Sequence, residues 1–146
     1  MRPKRCPFET VNFTRDAPSA LHAIRNWPTK VIFVGREVGS VPSGLKIGAR
    51  FDRLPDDHPV RVAYELYFGG KTRDRHVADP VTVLYAVRGL GERWTLVKDG
   101  AMELQSNMTF MWRLDFDLRQ GYLRKRWGMD SLIEGELESL LGLQPD

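Results

Sequence analysis

The sequence predicts an α/β fold with one parallel core strand, several helices and a small antiparallel meander. A continuous apolar run covers residues 30–35, and segments 59–70 and 79–90 combine helical spacing with proline and glycine boundaries. Short apolar stretches separated by turn residues occupy residues 93–116. We expect one domain over residues 1–146, because this length is ordinary for a single domain.

The first predicted helix covers residues 16–27. Asp16 can cap free backbone N–H groups, Pro18 is tolerated in a first turn, and Pro28 ends the helix. The apolar run at 30–35 follows, and such runs are typical of strands buried on both faces of a parallel sheet. No run of similar quality lies nearby. We therefore expect that the other strands of this sheet are missing from the chain.

The next predicted helix begins at Pro59 and ends at Gly69-Gly70. Asp56-Asp57 lies just before it and can supply its cap. The preceding segment, residues 37–55, is rich in glycine, serine and proline, which predicts a loop or an irregular hairpin.

The helix over residues 79–90 follows a polar loop at 71–77. Asp79 is its predicted N-cap, Pro80 its first helical residue and Gly89 its end. Apolar residues occupy every side of this segment, so we expect the helix to be buried nearly all round.

The C-terminal third predicts the meander and one last helix. The meander strands lie at 93–97, 102–104 and 109–116. The helix starts near Asp130 with a capping-box pattern between Ser131 and Glu134. The residues that its spacing directs to a core are Ile133, Leu137, Leu140 and Leu141.

Composition excludes several classes of protein. The apolar fraction of 42% and the charged fraction of 28% fit neither a disordered nor a membrane chain. No stretch is long and apolar enough to span a bilayer, and no export signal is visible at the start, so we expect a soluble chain of unknown compartment. Cys6 is the only cysteine, which excludes an intramolecular disulfide and a cysteine zinc cage.

The net charge of +3 raises the possibility of a nucleic-acid partner through Arg124-Lys125-Arg126 and Trp127. Most other basic residues are interleaved with acidic ones. This distribution favours a solvated basic face, so we expect neither a nucleic acid nor a membrane as partner.

Two groups of carboxylates are candidate metal ligands. Asp79 can bind a cation while it caps a helix, but no second acidic cluster is spaced to join it, and calcium takes six to eight oxygens. Asp115 and Asp117 share one face of a predicted strand, although ordinary solvent-facing alternation explains them equally well.

Four segments in order, residues 12–17, 27–35, 59–65 and 79–90, together resemble the C-terminal half of the inosine-uridine-preferring nucleoside hydrolases. The resemblance implies a partial nucleoside hydrolase-like fold and an enzyme that cleaves the N-glycosidic bond of ribonucleosides with the help of Ca²⁺. Within it, Asp79 matches a late calcium ligand and Asn12 matches an asparagine that hydrogen-bonds the ribose of the nucleoside substrate.

This chain departs from the family in ways that bear on activity. The Asp-rich motif that supplies the catalytic base and most calcium ligands is absent, so no catalytic residue carries over. Ala78 stands where some members have a histidine that protonates the leaving base, and His76 lies near that position. Tyr64 and Tyr67 match the region of the base pocket, although their spacing favours core packing.

We therefore expect an inactive C-terminal fragment whose reading frame begins inside a broken gene. Its site would be completed by the missing N-terminal half. The alternative is a non-catalytic binding or assembly module, either a homo-oligomer or one that pairs with a separately encoded N-terminal half. In both cases an exposed apolar patch is expected where strands are missing.

Overall fold

A computed structural model describes residues 11–40, 44–104, 110–114 and 119–143. The helices are α1 Val11–Thr14, α2 Ala17–Asn26, α3 Arg36–Gly39, a 3₁₀ helix Ala49–Arg53, α4 Pro59–Phe68, α5 Ala78–Arg88 and α6 Asp130–Leu140. The strands are β1 Val31–Val34, β2 Lys46–Ile47, β3 Arg75–His76, β4 Trp94–Val97, β5 Gly100–Leu104, β6 Phe110–Leu114 and β7 Gln120–Lys125.

The described strands form three small sheets. One sheet has the order β1-β7-β4, and the other two are the pairs β2-β3 and β5-β6. The sheets include a parallel pair as well as antiparallel ones. In the parallel pair, the Val31 N–H donates to the Arg119 carbonyl over 2.9 Å, and Ile32 lies beside Gly121. The α/β class predicted from the sequence is confirmed at this level.

Strand β1 is where the sequence prediction fails. All four of its residues are half-buried, so the expected strand buried on both faces is wrong. Its partner β7 was not predicted, because only Gly121 and Leu123 are buried on that strand and polar residues fill the rest. A strand with so few apolar residues gives no clear alternating signal.

The meander prediction is partly right. Strands β5 and β6 pair antiparallel from Gly100↔Leu114 to Leu104↔Phe110, as the turn signals indicated. Strand β4 lies beside β7 instead, where the Arg126 N–H donates to the Arg93 carbonyl over 2.9 Å. The stretch predicted as the first meander strand therefore belongs to a different sheet.

The described chain divides into two compact units. The first takes in residues up to Phe33 together with Leu96–Tyr122, and the second takes in Val34–Thr95 together with the residues from Leu123 onward. The main hydrophobic core lies in the second unit. Its buried members are Val38, Leu45, Ile47, Phe51, Leu54, Val77, Val81, Leu84, Trp94, Leu123, Ile133, Leu137 and Leu143.

Local sequence signals place α2 and α4 correctly. The Asp16 carboxylate accepts a hydrogen bond from the Ser19 N–H at 3.1 Å, as expected of a cap, and the Ser19 bonds lower the pKa of Asp16. Helix α4 begins at Pro59 and ends before Gly69, whose φ of 73° only glycine adopts readily. Its cap is His58, with Nδ1 accepting from the Val60 N–H, so the expected aspartate cap is wrong.

Helix α5 is buried on one side only. Val81 and Leu84 face the core, whereas Val83 is 61% exposed and Val87 is 75% exposed. The prediction of burial nearly all round is therefore wrong. The described neighbours α3 and α6 contact α5, and they leave its other side open.

Helix α6 confirms the predicted core positions Ile133 and Leu137, and Leu141 packs against the core. Leu140 is exposed, contrary to the prediction. The capping box is also wrong, because the helix start has no side-chain cap and Glu134 binds strand β2 instead. No helix in the described part of the chain is long and apolar enough to cross a membrane.

Candidate functional site

The first turn of α5 carries Asp79, the candidate calcium ligand. The helix begins at Ala78, two residues before the predicted first helical residue Pro80, and Val77 is its N-cap without a side-chain capping bond. Asp79 is therefore a first-turn residue and not the predicted cap. Its side chain is exposed, and no hydrogen bond or ion pair joins it to the residues that the structure describes. A carboxylate in this position is favoured by the helix dipole and is open to solvent.

Close packing fixes the start of α5. A Cβ atom built on Gly39 of α3 would lie 2.3 Å from the Ala78 Cα, a distance that real Cβ atoms do not reach. The backbones of α3 and α5 can approach so closely only because residue 39 is glycine. The Val77 N–H also donates to the Leu45 carbonyl over 3.2 Å. The position of Asp79 is thus set by backbone contacts on its own unit.

His76 lies three residues before Asp79 on strand β3, where it pairs with Lys46 of β2. The residue is half-buried, and its Nδ1 atom is buried without a hydrogen-bond partner among the described residues. The stretch predicted as a loop at 71–77 therefore contains a short strand that holds this histidine. Its role as an acid toward a leaving base stays a prediction.

Asn12, the candidate ribose ligand, lies in α1 with an exposed side chain. Helix α1 was not predicted from the sequence. Asn12 belongs to the first compact unit and Asp79 to the second. Each residue is therefore available at the surface of its own unit.

The described residues do not by themselves fit a calcium ion. No group of three or more His, Cys, Asp or Glu side chains that could hold a metal occurs within the described ranges. Calcium takes six to eight oxygen ligands, and Asp79 supplies one carboxylate. The other candidate pair, Asp115 and Asp117, lies outside the described residues.

Sequence analysis missed a row of carboxylates on α6. Glu134 accepts from the Lys46 N–H over 2.8 Å, Glu136 pairs with Arg93, and Glu138 accepts from Arg50 over 3.0 Å. The alternation of glutamates along this helix was visible in the sequence, but their partners lie far away along the chain. These contacts hold α6 to three other segments of the second unit.

Glu138 is the buried member of this row and is 7% exposed. Burial raises the pKa of its carboxyl group, and the positive charge of Arg50 acts against that rise. The guanidinium group of Arg50 is partly open to solvent. This arrangement fits a structural ion pair, because the Arg50 guanidinium lies 3.0 Å from the buried Glu138 carboxylate.

The two tyrosines of α4 have different surroundings. Tyr64 packs edge-on against Phe51 with ring centroids 4.7 Å apart, and partial burial raises its pKa. Tyr67 is 61% exposed, and the Arg75 guanidinium lies 4.3 Å from its ring centroid. Core packing is therefore confirmed for Tyr64 and is wrong for Tyr67.

Comparison with known proteins adds no family assignment. No family model, curated protein or solved structure matches this chain.

Proposed function

We propose that this chain is the C-terminal portion of a nucleoside hydrolase-like protein and has no activity alone. In this proposal Asp79 is one calcium ligand and Asn12 one ribose contact, and the remaining ligands lie on sequence that this chain lacks. The observation that carries the proposal is the exposed Asp79 carboxylate, held without a partner among the described residues at the start of a fixed helix. The four ordered sequence resemblances supply the chemistry.

The contribution of each residue is limited and specific. In the intact family, bound calcium lowers the pKa of the attacking water. Here Asp79 contributes one carboxylate ligand from the first turn of α5. Asn12 contributes an amide that can both donate to and accept from a ribose hydroxyl. No general base is assigned to this chain.

The first experiment is to sequence the coding DNA upstream of Met1 and translate it in all three forward frames. The proposal predicts a strand followed by an Asp-rich motif in one of these frames. That segment is then produced together with this chain, and base release from inosine and uridine is measured with and without calcium. Unrelated upstream sequence would contradict the proposal, as would base release by this chain alone.

The contribution of Asp79 is tested in the reconstituted pair by calcium titration calorimetry. Asp79→Asn should weaken calcium binding at least tenfold, since a charged ligand becomes neutral without a change of shape. Asp57→Asn is the matched control, because Asp57 is also an exposed aspartate near a helix start. Equal binding by both variants would show that Asp79 is not a ligand.

A second candidate function is a non-catalytic assembly module. The observation that favours it is the exposed apolar side of α5, formed by Val83 and Val87, together with exposed Leu66 on α4. Exposed apolar surface of this kind often marks a protein interface. Light scattering after size-exclusion chromatography tests it, because a discrete soluble oligomer supports a module whereas heterogeneous aggregates support a fragment.

A further inference from the structure

Trp127 lies two residues beyond the end of β7, and its side chain is 98% exposed. It lies in a turn closed by a bond of 3.4 Å from the Met129 N–H to the Arg126 carbonyl. Gly128 follows it with a φ of 79°, a left-handed conformation that glycine adopts without strain. We call residues 124–129 the Trp127 turn. Trp127 is the second residue of the four-residue turn from Arg126 to Met129, and both faces of its indole ring are open to solvent.

Contacts on both sides hold the Trp127 turn in place. The Arg126 N–H donates to the Arg93 carbonyl over 2.9 Å, which ties the turn to the residue before β4. Lys125 Nζ bonds the Asp130 carboxylate at 2.7 Å, and this contact joins the end of β7 to the start of α6. The indole is therefore presented by a fixed backbone, which lowers the entropic cost of binding.

The charges beside the indole are positive and available. Asp130 neutralises Lys125, so the charge of that residue is already satisfied. Arg124 and Arg126 are exposed, and neither forms an ion pair with a described residue. Arg124 lies on β7, and the Arg126 N–H continues the backbone pairing beyond the end of that strand. Residues two apart along paired extended backbone direct their side chains to the same side.

We propose that the Trp127 turn binds single-stranded nucleic acid. Trp127 stacks on one base, and Arg124 and Arg126 contact the phosphates on either side of it. An aromatic platform beside positive charges is the combination by which proteins bind single strands without sequence preference. This site is separate from Asp79 and does not depend on the proposed nucleoside hydrolase function. It also reverses the expectation from sequence, because the exposure of Trp127 could not be known there.

The geometry favours a single strand over a membrane surface. Binding in the interface of a bilayer scales with the apolar area buried, and the Trp127 turn offers one large apolar side chain. The next apolar residue, Met129, packs against the hydrophobic core and is not free to insert. Stacking needs only one ring per base, so a lone exposed indole is sufficient.

Fluorescence anisotropy with a labelled 12-nucleotide oligo-uridine and the full chain tests the proposal at low salt. Trp127→Ala should weaken binding about tenfold, in line with the loss of one stacked base. Trp27→Ala is the matched control, because Trp27 is an exposed indole in the other unit and should leave affinity unchanged. Thermal unfolding of both variants should match that of the unchanged chain, which shows that any difference is not a folding defect.

An oligonucleotide without bases separates the contribution of base stacking to affinity from the contribution of charge. An abasic oligomer of the same length should bind the unchanged chain and Trp127→Ala equally, since both retain the arginines. Arg124→Gln and Arg126→Gln should each reduce the slope of log affinity against log salt by about 0.7, the value for one phosphate contact on a single strand. Arg88→Gln, at an exposed position on α5, should not change the slope.

Three results would overturn the proposal. One is no oligonucleotide binding at low salt, and another is equal weakening by Trp27→Ala and Trp127→Ala. The third is binding to vesicles of phosphatidylserine and phosphatidylcholine that depends on Trp127 while oligonucleotide binding does not. The last outcome would assign the Trp127 turn to membrane surfaces.

Discussion

Helices α5 and α6 have the same length and lie in contact within the second unit, yet the chain covers them differently. Helix α6 buries Ile133 and Leu137 and exposes Leu132 and Leu140, and each of its glutamates has a described partner. Helix α5 buries Val81 and Leu84, while its other side exposes further valines to solvent. The difference shows that apolar content alone does not decide burial. A helix becomes covered only where other segments supply surface for it.

The comparison predicts that truncating a buried apolar side chain on α6 lowers the free energy of unfolding strongly. Truncating an exposed apolar side chain on α5 should hardly change it. Ile133 is fully buried, so Ile133→Ala should lower the free energy of unfolding by about 3 kcal/mol through lost packing and a cavity. Val87→Ala, at an exposed position, should change it by less than about 0.5 kcal/mol. Urea unfolding followed by circular dichroism measures both.

An equal loss of unfolding free energy in Val87→Ala and Ile133→Ala would contradict this comparison. Such a result would mean that another segment or a second copy of the chain covers α5 in solution. Repeating the measurement at several protein concentrations separates these causes, because burial by a second copy depends on concentration.

A smaller effect concerns the buried carboxyl group of α6. Because burial raises the pKa of Glu138, the folded chain holds this proton more tightly than the unfolded chain does. Its contribution to stability is therefore greatest below the ordinary value of 4.5 and is lost as pH rises through the raised pKa. Glu138→Gln keeps the shape of the side chain, and it should make the free energy of unfolding decrease less steeply as pH rises.

The measurement is urea unfolding of both proteins at intervals from pH 4 to pH 7. Ser139→Ala, at the exposed neighbouring position, should retain the slope of the unchanged chain because it removes no titrating group. An identical slope for Glu138→Gln would mean that Glu138 does not titrate differently on folding.

The smallest effect on stability is expected on the open side of α5. Replacing Val83 and Val87 by serine should shift the free energy of unfolding by less than about 0.5 kcal/mol per site, because valine and serine have similar helix propensity. Light scattering should nevertheless fall at high protein concentration, since exposed apolar surface is removed. Unchanged scattering would mean that the open side of α5 does not drive association between copies of the chain.

Sequence reasoning succeeded where a structure depends on neighbouring residues. The cap at Asp16 and the glycine end of α4 at Gly69 follow from contacts within a few residues. It failed where a structure depends on distant partners, as with β7 beside β1 and Glu134 bound to strand β2. These pairings are set by the rest of the fold, which local patterns do not record.

The candidate site follows the same division. The sequence indicated that Asp79 lies at the start of a helix, and the structure moves that start by two residues, from Pro80 to Ala78. The solvation of Trp127 was not predictable, because exposure depends on how the ends of β7 and α6 are joined. A sequence pattern can thus identify a candidate site residue, but the packing of the fold decides whether its side chain is accessible.

The close approach of Gly39 to Ala78 has a consequence for how this chain can change by mutation. Two backbones at this distance leave no room for a side chain at position 39, so any substitution there must displace the start of α5. Selection on a ligand carried by that helix would act on both positions together. In evolutionary terms, a substitution at Gly39 would move Asp79 without changing that residue itself.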